Sequence, residues 1–114
     1  MAKPQQKQEL LPGTLELLVL KVLSSGAHHG YAIVREIQRR SEDALVVEEG
    51  SLYPALHRME RRGLIDAEWG ASESNRRAKF YSLTRAGRTE LATLSSNWRK
   101  MAVAIEGVLA PEGA

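Results

Sequence analysis

The sequence predicts a mainly α-helical fold with one small β-hairpin. Three observations lead there. Apolar residues recur at helical spacing in three stretches before residue 63, two short runs between 64 and 83 read as strands, and from Leu91 onward apolar residues return in a 3,4 rhythm. At 114 residues, 43% apolar and 26% charged, the chain makes one domain around one core. It has no cysteine, which excludes disulfides, thiolate zinc sites, iron–sulfur ligation and a cysteine nucleophile. No apolar run approaches the ~20 residues that span a bilayer. The N-terminus lacks the apolar core of a secretory signal. The expectation is a cytoplasmic chain with a disordered arm over 1–9 and no membrane partner.

The first helix follows a Pro12-Gly13 turn, with Thr14 as its N-cap. Over 15–23 it is apolar nearly all round, at Leu15, Leu17, Leu18, Val19, Leu20, Val22 and Leu23. In so small a chain that asks for a second surface, supplied by a partner. Ser24-Ser25-Gly26 ends it. His29-Gly30 opens the second helix, whose apolar stripe is Tyr31, Ile33, Val34 and Ile37, with Arg35, Arg39 and Arg40 mostly on other faces. Ser41-Glu42-Asp43 stops it, and Leu45, Val46 and Val47 anchor a connector over 41–50.

The third helix is expected over 51–62, beginning near Gly50 or Ser51 so that Pro54, which has no N–H, falls in the first turn. Leu52, Ala55, Leu56 and Met59 share its inner face. Pro54, His57, Arg58 and Arg61 occupy the opposite arc, flanked by Ser51 and Tyr53, and Gly63 is the stop. Ile65, Ala67 and Trp69 alternate with Asp66 and Glu68 in a first strand over 64–69, where Trp69 is expected in the hairpin core. The second strand is 79–83, and the polar loop between them, 70–77, exceeds an ordinary hairpin turn. Thr84 caps a last helix whose Leu91, Leu94, Trp98, Met101, Ile105 and Val108 form a coiled-coil-like seam, before a frayed tail over 110–114.

The net charge of +2 hides a segregation. Residues 76–88 carry five basic and no acidic groups, and residues 51–63 are net +2, while 35–50 and 64–75 are acidic. Three helices followed by a basic-tipped hairpin form a winged helix-turn-helix, in which the second helix of the turn motif enters the major groove of DNA. That assigns 10–83 as a winged-helix DNA-binding domain and 84–109 as a C-terminal dimerisation helix. Both basic clusters then share one face, where phosphate neutralisation supplies affinity and base edges supply specificity. An acidic protein partner is the alternative for such a face, and sequence preference and salt response separate the two.

The segments LLPGTLELLVLKVL (10–23), HGYAIVREI (29–37), EEGSLYPALHRMERRGLI (48–65) and NRRAKFYSLTRAG (75–87), with a C-terminal helix holding Trp98, resemble the PadR family of bacterial transcriptional regulators over about 10–109. With one long helix after the wing, the chain looks like the shorter subclass. The resemblance implies a homodimeric repressor whose terminal helices pack on the partner and whose winged helix binds an inverted repeat. It also implies response to small molecules, among them phenolic acids and hydrophobic drugs.

Candidate DNA contacts are Arg58 and Arg61 on the third helix and Arg76, Arg77 and Lys79 on the wing, joined by Pro54 and His57. Arg85 and Arg88 are evenly balanced between contact and solvated charge. For Tyr31, Ser51 and Tyr53, a hydroxyl on phosphate competes with capping or packing. The dimer candidates are Leu15, Leu18, Leu91, Leu94, Trp98, Met101, Ile105 and Val108. Trp98 either packs in the interface or borders an apolar effector pocket. His28, His29 and His57 lack the ligand spacing of a metal site, no cofactor is implied, and no catalytic constellation marks an enzyme.

Overall fold

A computed structural model describes residue 10 and residues 13–113. The arm expected over 1–9, Pro12 of the first turn and the last residue of the tail lie outside the described residues. Seven elements follow in order: α1 (Thr14–Leu23), β1 (His28–His29), α2 (Gly30–Arg40), α3 (Glu49–Arg61), β2 (Ile65–Ala71), β3 (Arg77–Leu83) and α4 (Arg85–Leu109). The strands form an antiparallel sheet in the order β1-β3-β2. The mainly α fold with a winged hairpin is therefore the one expected.

The core is built from one face of each element. Val19, Leu20, Val22 and Leu23 of α1 meet Ile33 and Ile37 of α2 and Leu52, Ala55, Leu56 and Met59 of α3. Ile65 and Tyr81 close it from the sheet. The helix ends carry their own chemistry. Gly63, at φ +74°, closes α3 by a Schellman turn: the Leu64 N–H reaches the Met59 carbonyl at 3.0 Å and the Gly63 N–H reaches Glu60 at 3.0 Å. Thr84 caps α4 as expected, its Oγ1 accepting from the Gly87 N–H at 3.0 Å and donating to the Gly63 carbonyl at 2.6 Å. Gly87 is buried, and a Cβ there would stand 2.1 Å from the Leu64 carbonyl oxygen. Only glycine lets α4 approach the start of β2 so closely.

Several boundaries differ from expectation. The N-cap of α1 is Gly13, at φ +85°, so Thr14 is the first helical residue. Helix α3 starts at Glu49, because the extended Glu48 turns its carbonyl onto the N–H groups of Ser51 and Leu52, both at 3.0 Å. Pro54 thus lies inside the helix, beyond the first turn. The carbonyl that loses its i+4 donor belongs to Gly50, which is exposed. Pairing of Gly70 with Ala78 and of Ala71 with Arg77 lengthens both wing strands and shrinks the loop to 72–76. That loop is held by its own bonds, from Ser72 N–H to the Arg76 carbonyl and from Asn75 N–H to the Ser72 carbonyl, both at 2.8 Å. Strand β1 was not expected: His28 pairs with Tyr81 and His29 with Phe80.

The register puts Ile65, Ala67, Trp69 and Ala71 on one sheet face with Leu83, Tyr81, Lys79 and Arg77. Near α4 this face is core. Toward the tip it outruns the helices, so Trp69 is 58% exposed and not in the hairpin core. Helix α4 behaves similarly. Leu91 and Leu94 pack, half-buried, against the chain's own core, as do Leu15 and Leu18 of α1. Beyond them Trp98, Met101, Ile105 and Val108 stand exposed on one stripe. No described helix is long and apolar enough to cross a membrane.

Candidate nucleic-acid interface

The sheet face that leaves the core bends over a groove of about 1140 Å³. The N-terminal half of α2 forms its floor, α3 one wall and the wing the other. Six of the ten candidate DNA contacts line it: Tyr31, Tyr53, His57, Arg76, Arg77 and Lys79. Ser51, Pro54, Arg58 and Arg61 do not, although all four are exposed on α3. At 100° per residue, Pro54, His57 and Arg61 form the crest of α3 opposite Leu52, Ala55, Leu56 and Met59.

Ion pairs divide the cations. Arg58 turns back to α1, its Nη2 lying 3.2 Å from Glu16 Oε1. Lys79 reaches toward α3, its Nζ lying 3.4 Å from Glu60 Oε1. Arg62 is tied to Glu90 of α4 at 2.7 Å. Arg61, Arg76 and Arg77, like Arg35 of α2, have no carboxylate partner among the described residues, so theirs is the uncompensated positive charge of this face. Arg85 and Arg88 lie in the first turn of α4 and do not line the groove.

Aromatic rings set the shape. The Arg77 guanidinium lies over the Trp69 ring, 4.7 Å from its centroid. That of Arg35 lies 5.7 Å from the Tyr31 ring. Tyr53 is 41% exposed and leans on the backbone of buried Gly30, where a Cβ would come within 2.7 Å of its hydroxyl. The start of α2 and the first turns of α3 are thereby fixed against each other. His29 caps α2, its Nδ1 accepting from the Ala32 N–H at 3.2 Å, and sets its ring edge-on to Phe80. His28 Nδ1 lies 2.8 Å from the Gly26 carbonyl, and His57 stands apart on α3. Among the described residues no group of three or more His, Cys, Asp or Glu side chains could hold a metal.

Two titratable groups are shifted. The Glu36 carboxyl, which accepts from Arg39 and Arg40, is held at about 2 instead of 4.5. Arg39 and Arg40 thus share one carboxylate, while Arg35, which lines the groove, has none. Burial pushes the Tyr81 phenol up. Sequence reasoning missed Arg35 and Trp69 as groove residues. Arg35 was legible as the residue one helical turn after Tyr31. Trp69 needed the strand register, which sequence spacing does not supply.

A family model for transcriptional regulators of the PadR-like family matches residues 19–93. Among solved structures, a transcriptional regulator from Clostridium thermocellum is 26% identical at a TM-score of 0.78, covering 86% of this chain and 92% of that one. A PadR-like transcriptional regulator from Bacillus cereus is 28% identical at 0.75, covering 88% and 95%. A PadR family transcription regulator from Clostridium difficile is 30% identical at 0.74, covering 86% and 100%.

Proposed function

The chain belongs to the PadR-like family of transcriptional regulators, and on that premise we propose that it is a homodimeric repressor that binds an inverted-repeat operator in the cytoplasm. Membership makes it a regulator and not an enzyme. The groove between α2, α3 and the wing is the observation that carries the reading. It gathers uncompensated arginines and hydroxyl-bearing aromatics on one concave face, which suits a phosphate backbone. Helix α3 enters the major groove with Pro54, His57 and Arg61 foremost, and Ser51 and Tyr53 at its start. Tyr31 and Arg35 meet one strand's phosphates, while Arg76 and Arg77 meet those beside the wing.

Dimerisation is supported by α4, where Trp98 is 55% and Val108 84% exposed on a continuous apolar stripe. A partner's α1 and α4 would cover it, with the exposed parts of Leu15, Leu18, Leu91 and Leu94 at its edge. Trp98 lines neither the groove nor the smaller concavity at the wing tip. A pocket for a small hydrophobic or aromatic effector beside it would need both copies of α4.

The test is binding to a duplex from the gene's own upstream region and to a scrambled duplex, across a salt series. Expected are a preferred site with half-sites about one helical turn apart and affinity falling with salt. Equal affinity for both duplexes sinks the operator-specific repressor.

A further inference from the structure

We propose that Trp69 is a positioning residue for DNA binding, holding Arg77 in the groove with its hydrogen-bonding edge free. The inference rests on the reading of the groove as the DNA interface, and nothing in the sequence motifs assigns Trp69 that role. A solvent-exposed tryptophan on a strand needs a reason. Trp69 sits beyond the last core residue of its face, with Lys79 directly opposite and Arg77 diagonally across the pair. It is 58% exposed, yet the Arg77 guanidinium carbon lies over its ring, 4.7 Å from the centroid.

The chemistry of stacking separates Arg77 from the other groove cations. Lys79 and Arg58 each lie against a carboxylate, which takes up one of their nitrogens and offsets part of their charge. A ring occupies only the face of a guanidinium. Its N–H donors lie in the plane and stay available, and its charge is undiminished. Trp69 therefore restricts the Arg77 side chain without spending its capacity to bind a phosphate. An arginine on an exposed strand otherwise surrenders its rotamer freedom on binding.

The experiment uses the full chain and a labelled duplex of arbitrary sequence, so that no operator need be known. Affinity is measured along a potassium chloride series for the unsubstituted chain, Trp69→Ala, Trp69→Leu, Trp69→Phe, Arg77→Ala and Trp69→Ala/Arg77→Ala, with thermal unfolding of each. Removing the ring is expected to weaken binding about two- to fivefold, the range of an exposed cation–π contact. Phe is expected to restore most of the loss. In the Arg77→Ala background the Trp69 substitution is expected to change nothing further. Arg77→Ala lowers the salt slope by about 0.9. Trp69→Leu keeps apolar bulk without a ring face, so it carries the comparison with Phe should the alanine variant unfold. Equal binding by Leu and Phe variants, or losses that add in the double variant, overturns the role of Trp69 while leaving the groove reading intact. No binding by the unsubstituted chain overturns both.

Discussion

Single atoms decide much of this molecule. A Cβ at position 87 would collide with the Leu64 carbonyl oxygen at 2.1 Å, and backbone on both sides cannot yield. Gly87→Ala is expected to destabilise the chain by about 3 kcal/mol or more, the upper end of overpacking. Thermal unfolding would then show a midpoint lower by roughly 15 °C. An unchanged midpoint would mean that α4 does not lie so close to β2. The arginines of the wing act through charge, not packing. Both are exposed and without carboxylate partners, so Arg76→Ala/Arg77→Ala is expected to leave stability nearly unchanged. It should weaken binding to every duplex and reduce the salt slope by about 1.8. An unaltered slope would remove the wing from the phosphate contacts.

Among the elements, α1 and α3 are joined by Glu16 and Arg58, a pair that ties the core helix to the outer side of α3. Freed of its carboxylate, Arg58 becomes a further cation of α3. Glu16→Gln is expected to raise affinity for a duplex severalfold at low salt and steepen the slope by about 0.9, while folding stability moves by less than about 1 kcal/mol. Identical binding curves would show that Arg58 does not reach DNA. The helices were legible in the sequence because their signals are local. The stripe of Ile33, Val34 and Ile37, the inner face of α3, Gly63 and Thr84 all act within a turn of where they stand, whereas Tyr31, expected on that stripe, is 55% exposed on the groove. What stayed illegible depends on distant partners. Strand β1 exists only because His28 and His29 meet Tyr81 and Phe80, far along the chain. The wing loop shortened because Ala71 and Arg77 found each other, and the ion pairs of Arg58 and Lys79 depend on how α1, α3 and β3 pack. The site was therefore readable as a set of cations but not as the subset left uncompensated.

As a whole, the molecule is flat, about 58 × 43 × 21 Å, with α4 carrying an apolar stripe past the body of the domain. Met101, 60% exposed on that stripe, is where a charge would do most harm to an association and least to the fold. Met101→Glu is expected to convert a dimer to a monomer in sedimentation velocity while the unfolding midpoint at high dilution stays put. A dimer that survives would place the interface elsewhere. The wing, meanwhile, is anchored at one end only. Ile65, Ala67, Leu83 and Tyr81 fasten its base, whereas residues 69–79 add nothing to the core. It is a cantilever, and its outer span bears on the groove without bearing on the core. Substitutions there can therefore alter how strongly the wing holds a phosphate backbone while leaving the packing that folds the chain untouched.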